Sequence, residues 1–121
     1  MTCPRRGAAM RSALLAAALA GALAPALAAA QEGGDPRTGR RLAAQRCAVC
    51  HGNDGIAHQP DAANLAGQTA IYVNNQLRAF RSGDRRHEQM NIIAAELTDT
   101  QIADLAAWYA AIRIEVTVPG R

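Results

Sequence analysis

Lysine is absent from the sequence, and aromatic side chains make up only 3% of its 121 residues. All 13 basic residues are arginine, and three of them (Arg5, Arg6 and Arg11) lie in the first 30 residues, which contain no acidic residue. The other 91 residues carry 10 arginines and 10 acidic side chains and are therefore formally neutral. The positive charge belongs to the N-terminal segment, so nucleic-acid binding loses its main support.

The N-terminal segment consists of a short basic stretch followed by an Ala- and Leu-rich run over residues 13–30. A basic start, an apolar stretch and small residues at its end are typical of a secretory signal peptide. We predict that residues 1–30 are such a peptide, cleaved after Ala30 or, as the alternative, after Ala28. An uncleaved membrane anchor is the other interpretation, which Pro25 and the weak hydrophobicity of alanine disfavour.

Few large side chains remain to build a core after residue 30. A domain of about 91 residues with so little aromatic content normally needs a disulfide, a metal or a prosthetic group for stability. Cys3 would leave with the signal peptide, so Cys47 and Cys50 are the remaining cysteines. The aromatic residues of this part are Tyr72, Phe80, Trp108 and Tyr109.

Cys47 and Cys50 stand in the run Cys-Ala-Val-Cys-His, which ends at His51. This C-x-x-C-H run is the attachment signature of c-type haem, in which two thiols add to the porphyrin vinyl groups. His51 then supplies an imidazole nitrogen to the iron. A thioredoxin-like dithiol would need a βαβ context, and a zinc site would need more ligands, such as His58. We therefore predict one haem c, attached covalently through the two cysteines.

Met90 is the only methionine after residue 30, and it follows His51 by 39 residues. We predict that it lies in a loop and provides the sixth ligand of the iron. The alternatives are a methionine that fills the core, or His58 or His87 as the ligand. Iron with six ligands has no open position for a substrate, which favours an electron carrier over an enzyme.

Helical patterns frame these residues, and no strand is predicted with confidence from the sequence. An Asp-Pro start and a Thr-Asp-Thr-Gln capping box mark the first and last helices. The expected helices cover residues 36–45, 69–81, 91–96 and a terminal segment from Thr98, with loops at 51–68 and 83–89.

Taken together, these motifs resemble the class I cytochromes c, specifically the small bacterial periplasmic units that also occur as halves of dihaem cytochromes. The likeness rests on the haem motif, the Leu-Ala-Gly-Gln segment at 65–68, Met90 and the pattern of the terminal helix. It covers about residues 35–113 of a domain that we place at 31–121. It implies an all-α class I cytochrome c fold, with His51 and Met90 as axial ligands.

The resemblance also implies contacts around the haem. The first and last helices should cross with Gly39 against Trp108 or Tyr109. Relatives usually have a proline whose carbonyl accepts the proton of the proximal histidine, and Ala63 holds that position here. The carbonyl remains, so we expect the hydrogen bond to form but to be held less rigidly.

Two further groups of residues are assigned a role with an alternative. Seven apolar residues are candidates for the wall of the haem pocket, although each would also serve as ordinary core. Four arginines form either a solvated face, a partner for the haem propionates or a docking rim for an acidic redox protein. The wall candidates are Ile56, Leu65, Ile71, Leu77, Ile92, Ile93 and Leu97, and the arginines are Arg78, Arg81, Arg85 and Arg86.

The sequence therefore predicts a periplasmic one-electron carrier of a respiratory chain. Its partners would be a dehydrogenase or a quinol-oxidising complex on one side and a terminal oxidase or reductase on the other. It would meet the membrane only through such complexes. The alternatives are a dedicated haem subunit of a periplasmic oxidoreductase, and an enzyme or gas sensor with five-coordinate iron.

Overall fold

The computed structural model describes residues 33–120, so the predicted signal peptide lies outside the described residues. This part of the chain folds into five α-helices and contains no strand, which confirms the all-α prediction. Within it, no helix combines the length and the apolar character needed to cross a bilayer. The helices are α1 (Pro36–Arg46), α2 (Ala48–His51), α3 (Ala70–Ser82), α4 (Glu88–Ala95) and α5 (Asp99–Ala111).

The first and last helices begin where their capping residues predict. The carboxylate of Asp35 accepts two backbone N–H groups of the first turn of α1, at 3.0 and 3.3 Å, and Pro36 takes the first helical position. At α5 the capping box is complete. The backbone N–H of Thr98 donates to Gln101 Oε1 at 2.9 Å, and the backbone N–H of Gln101 donates to Thr98 Oγ1 at 3.2 Å.

Helix α4 differs from the prediction, because it begins at Glu88 and not near residue 91. His87 caps this helix: its Nδ1 atom accepts the backbone N–H of Met90 at 3.4 Å. Glu88 in the first turn places a negative charge at the positive end of the helix dipole. Met90 therefore lies in the first turn of α4, and the prediction that it lies in a loop is wrong.

Helices α1 and α5 cross at close range, and Gly39 makes the crossing possible. A Cβ atom at Gly39 would overlap the carbonyl oxygen of Asp104 and would lie 2.9 Å from Trp108 Cβ. The implied contact with Trp108 is confirmed, and the backbone of α5 at Asp104 also takes part. Tyr109 is buried in the core cluster, which comprises Ala43, Val73, Leu97, Ile102, Leu105, Ala106 and Tyr109.

A buried carboxylate fixes the same crossing. Asp104 is only 6% exposed, and its Oδ1 atom accepts the backbone N–H of Asp35 at 2.7 Å. A buried polar group is tolerated when such a partner satisfies it. The residue that caps α1 is thereby tied to the middle of α5, 69 residues along the chain.

Replacement of Gly39 by alanine should destabilise the protein, although alanine favours a helix. The gain in helix propensity is about 1 kcal/mol, whereas overpacking against backbone atoms that cannot rotate away typically costs about 1–3 kcal/mol or more. Thermal unfolding of the haem-loaded protein should show a lower midpoint, since about 1 kcal/mol shifts it by roughly 4–8 °C in a domain of this size. Gly33→Ala is the matched control, because a Cβ atom there meets nothing within 4 Å. An unchanged midpoint for Gly39→Ala would contradict the close crossing.

Candidate haem site

One helical turn carries the residues of the haem motif. Helix α1 ends at Arg46, and α2 begins at Ala48. Cys47 lies between them as the C-cap of α1 and the N-cap of α2, and its N–H donates to Ala43 O at 2.8 Å. The N–H of His51 donates to Cys47 O at 3.0 Å, which closes the turn. Residues three apart share one side of such a turn, so Cys47 and Cys50 are brought together. Both cysteine side chains are partly buried, and neither forms a disulfide.

The ring of His51 is held by a backbone carbonyl. Its Nδ1 atom lies 2.7 Å from the carbonyl oxygen of Ala63. A carbonyl can only accept a hydrogen bond, so Nδ1 carries the proton and Nε2 has the free lone pair that a metal requires. The expected hydrogen bond at Ala63 therefore forms without proline.

The loop around Ala63 obtains its rigidity from other hydrogen bonds. The side chain of Asn64 accepts the N–H of Ala57 at 2.8 Å. The carbonyl of Gly55 accepts two N–H groups, from Leu65 at 2.7 Å and from Ala66 at 3.0 Å. These contacts stabilise the segment directly after Ala63, which lacks the fixed torsion angle that proline would supply.

The hydroxyl of Tyr109 lies beside the Cys47 sulfur, where α5 meets the haem motif. Burial raises the pKa of both groups above their ordinary values, because low-polarity surroundings disfavour the phenolate and the thiolate. Within residues 33–120, the Tyr109 oxygen is buried and finds no hydrogen-bond partner of adequate geometry. A porphyrin attached at Cys47 fits these neutral, apolar surroundings, in which the Tyr109 hydroxyl has no other hydrogen-bond acceptor.

The expected wall residues divide into two groups. Ile71, Ile92 and Ile56 are exposed by 72%, 64% and 44%. Apolar side chains that are so exposed fit an apolar cofactor that would cover them. The others are at least partly buried: Leu97 is part of the core cluster, Leu65 and Leu77 pack against it, and Ile93 is half-buried.

The structure places Met90 and the two rival histidines on different elements. Met90 is half-buried on α4, which packs mainly against α3, whereas the haem motif lies on α2. His87 caps α4, and its ring meets the edge of Phe80 with 6.5 Å between centroids. His58 is exposed in the loop that follows α2. Among residues 33–120, no three His, Cys, Asp or Glu side chains are grouped to hold a metal ion.

The four arginines do not form one free face. Arg81 donates to Asp99 Oδ1 at 2.6 Å and to Leu97 O at 2.9 Å, and Arg78 lies 3.0 Å from the same Asp99 oxygen. Arg85 lies over the ring of Phe80, 4.5 Å from its centroid. Three of the arginines therefore hold α3 to its neighbours, and Arg86 is exposed.

The sequence agrees with this geometry when it is compared with known proteins. The family model for cytochrome c matches residues 36–111, which is more than half of the chain. The chain belongs to the cytochrome c family. This cytochrome c has the class I fold and carries one haem c, bound covalently through Cys47 and Cys50. Proteins of this family are electron carriers.

Three comparisons show the nature of the likeness. Cytochrome c4 of Thiocapsa roseopersicina is 43% identical over 82 residues, which are 68% of this chain and 42% of the relative. Cytochrome c-554(548) of Halomonas halodenitrificans is 40% identical over 67 residues, 53% of this chain and 81% of the relative. The cytochrome c4 structure of Acidithiobacillus ferrooxidans superimposes with a TM-score of 0.60 at 29% identity, over 69% of this chain and 53% of that one. This cytochrome c thus spans about half the length of the cytochromes c4 that it matches.

The roles of two residues near the site, Tyr109 and His87, could not be recognised from the sequence. Tyr109 lies beside Cys47 because α1 and α5 cross. In the sequence, only the likeness to known cytochromes indicates that crossing. The role of His87 had a weak local signal, because a polar residue followed by Glu88 and a helical run resembles a helix start. Histidine is not among the preferred capping residues, so the sequence predicts that His87 lies in a loop.

The covalent bonds should be directly visible in the mass of the denatured protein. Wild type should carry the mass of one haem after acid–acetone extraction, and Cys47→Ala or Cys50→Ala should sharply reduce the yield of haem-loaded protein. The physical reason is that each thiol on this turn forms one thioether bond. Complete extraction of the haem from wild type would contradict covalent attachment.

Asp99→Asn should lower stability at neutral pH and flatten its dependence on acid. The hydrogen bond from Arg81 and the charge of Arg78 hold the pKa of Asp99 below its ordinary value of 3.8. The unfolded chain therefore binds a proton first as the pH falls, so this contribution is present above about pH 4 and is lost below it. Urea unfolding at several pH values measures this, with Asp61→Asn in the exposed loop as the matched control. An equal deficit of Asp99→Asn at neutral pH and near pH 3 would contradict it.

Proposed function

We propose that this cytochrome c is a periplasmic one-electron carrier in which His51 and Met90 would be the two protein ligands of the haem iron. The observation that carries the proposal is the hydrogen bond of 2.7 Å between His51 Nδ1 and Ala63 O. It fixes the tautomer and the orientation of the ring, and it leaves Nε2 as the metal ligand. When bound, the haem supplies a one-electron ferric/ferrous couple.

The carbonyl of Ala63 also adjusts the strength of the proximal ligand. When the ring nitrogen that does not bind the metal donates a hydrogen bond to an acceptor, the basicity of the ligating nitrogen rises. The loop contacts of Asn64 and Gly55 support the position of this acceptor beside the ring. A proximal ligand that is held in place suits an iron ion that changes its oxidation state and keeps its ligands.

Met90 is proposed as the second ligand because of its chemistry and its setting. Its thioether is a soft donor that favours ferrous over ferric iron, and so it raises the potential relative to a second imidazole. The half-buried Met90 is the only methionine of the described residues, and its backbone N–H is bonded to His87. His87 is committed to the cap of α4, which supports Met90 over His87 as the resident ligand.

We also propose that the protein is exported and acts with redox partner proteins. Residues 1–30 would be removed as a signal peptide, which leaves a cytochrome domain at 31–121. The electron donor would be a periplasmic dehydrogenase or a quinol-oxidising complex, and the acceptor would be a terminal oxidase or reductase. The mass of the purified haem protein tests the processing step, since a start at Gln31 supports it and a retained N-terminus contradicts it.

One observation favours the alternative of a dedicated haem subunit in an oxidoreductase complex. Ile114, Val116 and Val118 follow α5 without regular structure, and each is exposed. Exposed apolar side chains in a row are frequent at sites that a partner protein covers. Stable co-purification with a catalytic partner would support the alternative, and a freely diffusing monomer would support the carrier.

The role of Met90 decides between these functions and a sensor or an enzyme. Oxidised wild type should show the weak far-red charge-transfer band of a thioether on ferric haem. Met90→Ala should abolish this band and open the reduced iron to carbon monoxide. It should also lower the potential by on the order of 100 mV, within the ~0.8 V range that axial ligands span. An unchanged spectrum and potential would show that Met90 is not a ligand.

The histidine at position 87 requires a control, because it could replace the lost thioether. The double variant Met90→Ala, His87→Ala should bind carbon monoxide more readily than Met90→Ala if His87 takes the free position. His87→Ala alone should keep the far-red band, since the wild-type ligand is still present. Loss of the band in that single variant would show that His87 is itself the ligand.

A further inference from the structure

The side chain of Asn91 joins three segments of the chain at the start of α4. Its Nδ2 atom donates to the carbonyl of Phe80 at 2.6 Å and to the carbonyl of Arg85 at 2.9 Å. Its Oδ1 atom accepts the backbone N–H of His87 at 2.7 Å. One carboxamide thus binds the last turn of α3, the connecting loop and the residue that caps α4.

These three contacts use both N–H donors of the amide and one of the two lone pairs of its oxygen. The carbonyl of Phe80 belongs to the last turn of α3, where it also accepts the backbone N–H of Gly83 at 3.3 Å. Gly83 ends α3 in a left-handed conformation, with φ of 86°, and the chain then turns toward α4. Without Asn91, Arg85 still bonds this turn to α3. Its backbone N–H donates to Ala79 O at 3.0 Å, and its guanidinium donates to Gln76 Oε1 at 2.5 Å.

Asn91 also acts on Met90 through His87. The carboxamide of Asn91 holds the backbone of His87, and the ring of His87 accepts the backbone N–H of Met90. The ring bond is long, at 3.4 Å, so the three short contacts of Asn91 are the stronger restraint on this turn. Arg85 reinforces the same turn by stacking over Phe80.

We propose that Asn91 is the positioning residue for the thioether ligand: it fixes the first turn of α4 against α3 and so keeps the sulfur of Met90 on the iron. The inference rests on the proposed ligation by Met90. The amide has no direct role in electron transfer. Its effect is to reduce the fraction of molecules in which this turn moves away and the sixth position opens.

Ligand entry measures this opening in the haem-loaded ferric protein. Imidazole can bind only when the sixth position is free, so its binding rate reports how often the thioether leaves. A hydrogen bond contributes a net stabilisation that corresponds to about a fivefold change in equilibrium. Asn91→Ala removes three bonds and should accelerate imidazole binding by more than about tenfold. The far-red band should also disappear at a lower temperature than in wild type.

Two further variants separate positioning from general stability. Asn91→Asp keeps an acceptor for the N–H of His87 but places a carboxylate against two carbonyl oxygens, and so it should also accelerate imidazole binding. It provides the measurement if Asn91→Ala yields no haem protein. Asn75→Ala, at an exposed asparagine on α3, is the matched control and should bind imidazole within about twofold of the wild-type rate.

The outcomes distinguish the inference from the function on which it rests. If Met90→Ala leaves the far-red band unchanged, both the ligation and the role of Asn91 are overturned. If Met90→Ala abolishes the band but the Asn91 variants bind imidazole at the wild-type rate, only the role of Asn91 is overturned. A lower unfolding temperature without faster ligand entry has the same meaning, because Asn91 would then support the fold alone.

Discussion

The close crossing of α1 and α5 is the contact on which the rest of the structure depends. At Gly39 the two backbones approach so closely that even a methyl group does not fit, and Asp104 adds a buried hydrogen bond to the start of α1. Helix α1 leads directly into the haem motif at Cys47, and α5 carries Tyr109 to the same place. The crossing therefore sets the position of the first attachment cysteine relative to the core.

The starts of α1 and α5 follow from the sequence because their signals are local. Asp35 and the Thr98–Gln101 box satisfy backbone groups within three residues of themselves, and Pro36 lacks the N–H that the first helical position leaves unbonded. The haem motif is local for the same reason, since its two thiols and its histidine lie on one turn. The resemblance implies a proline at the position of Ala63, and the expected hydrogen bond from His51 forms to the Ala63 carbonyl in its place, with Asn64 and Gly55 bonding the adjacent loop.

The contacts that sequence reasoning missed join residues far apart in the chain. Arg81 and Asp99 are 18 residues apart and pair only because α3 packs on α5, so the spacing of the arginines alone could not separate a free basic face from a structural pair. The sequence predicts the start of α4 near residue 91, whereas the helix begins at Glu88. Its cap is a histidine, and the side chain of Asn91, which belongs to the helix, bonds the N–H of that cap. Such contacts depend on the packed arrangement and have no periodic pattern.

The residues proposed as the two iron ligands, His51 and Met90, are held in the fold by contacts of different kinds. His51 lies on a turn that continues α1, is fixed by the attachment cysteines and is bonded to a loop carbonyl. The segment that carries Met90 is attached to α3 through the side chains of Asn91, His87 and Arg85. The turn of His51 is closed by backbone hydrogen bonds and is tied to the haem by two covalent bonds, so it should open less readily than a segment held by side-chain contacts. With Met90 as the proposed ligand, any loss of a ligand should therefore begin at Met90, and the residues that hold α4 to α3 would control how often the sixth position of the iron opens.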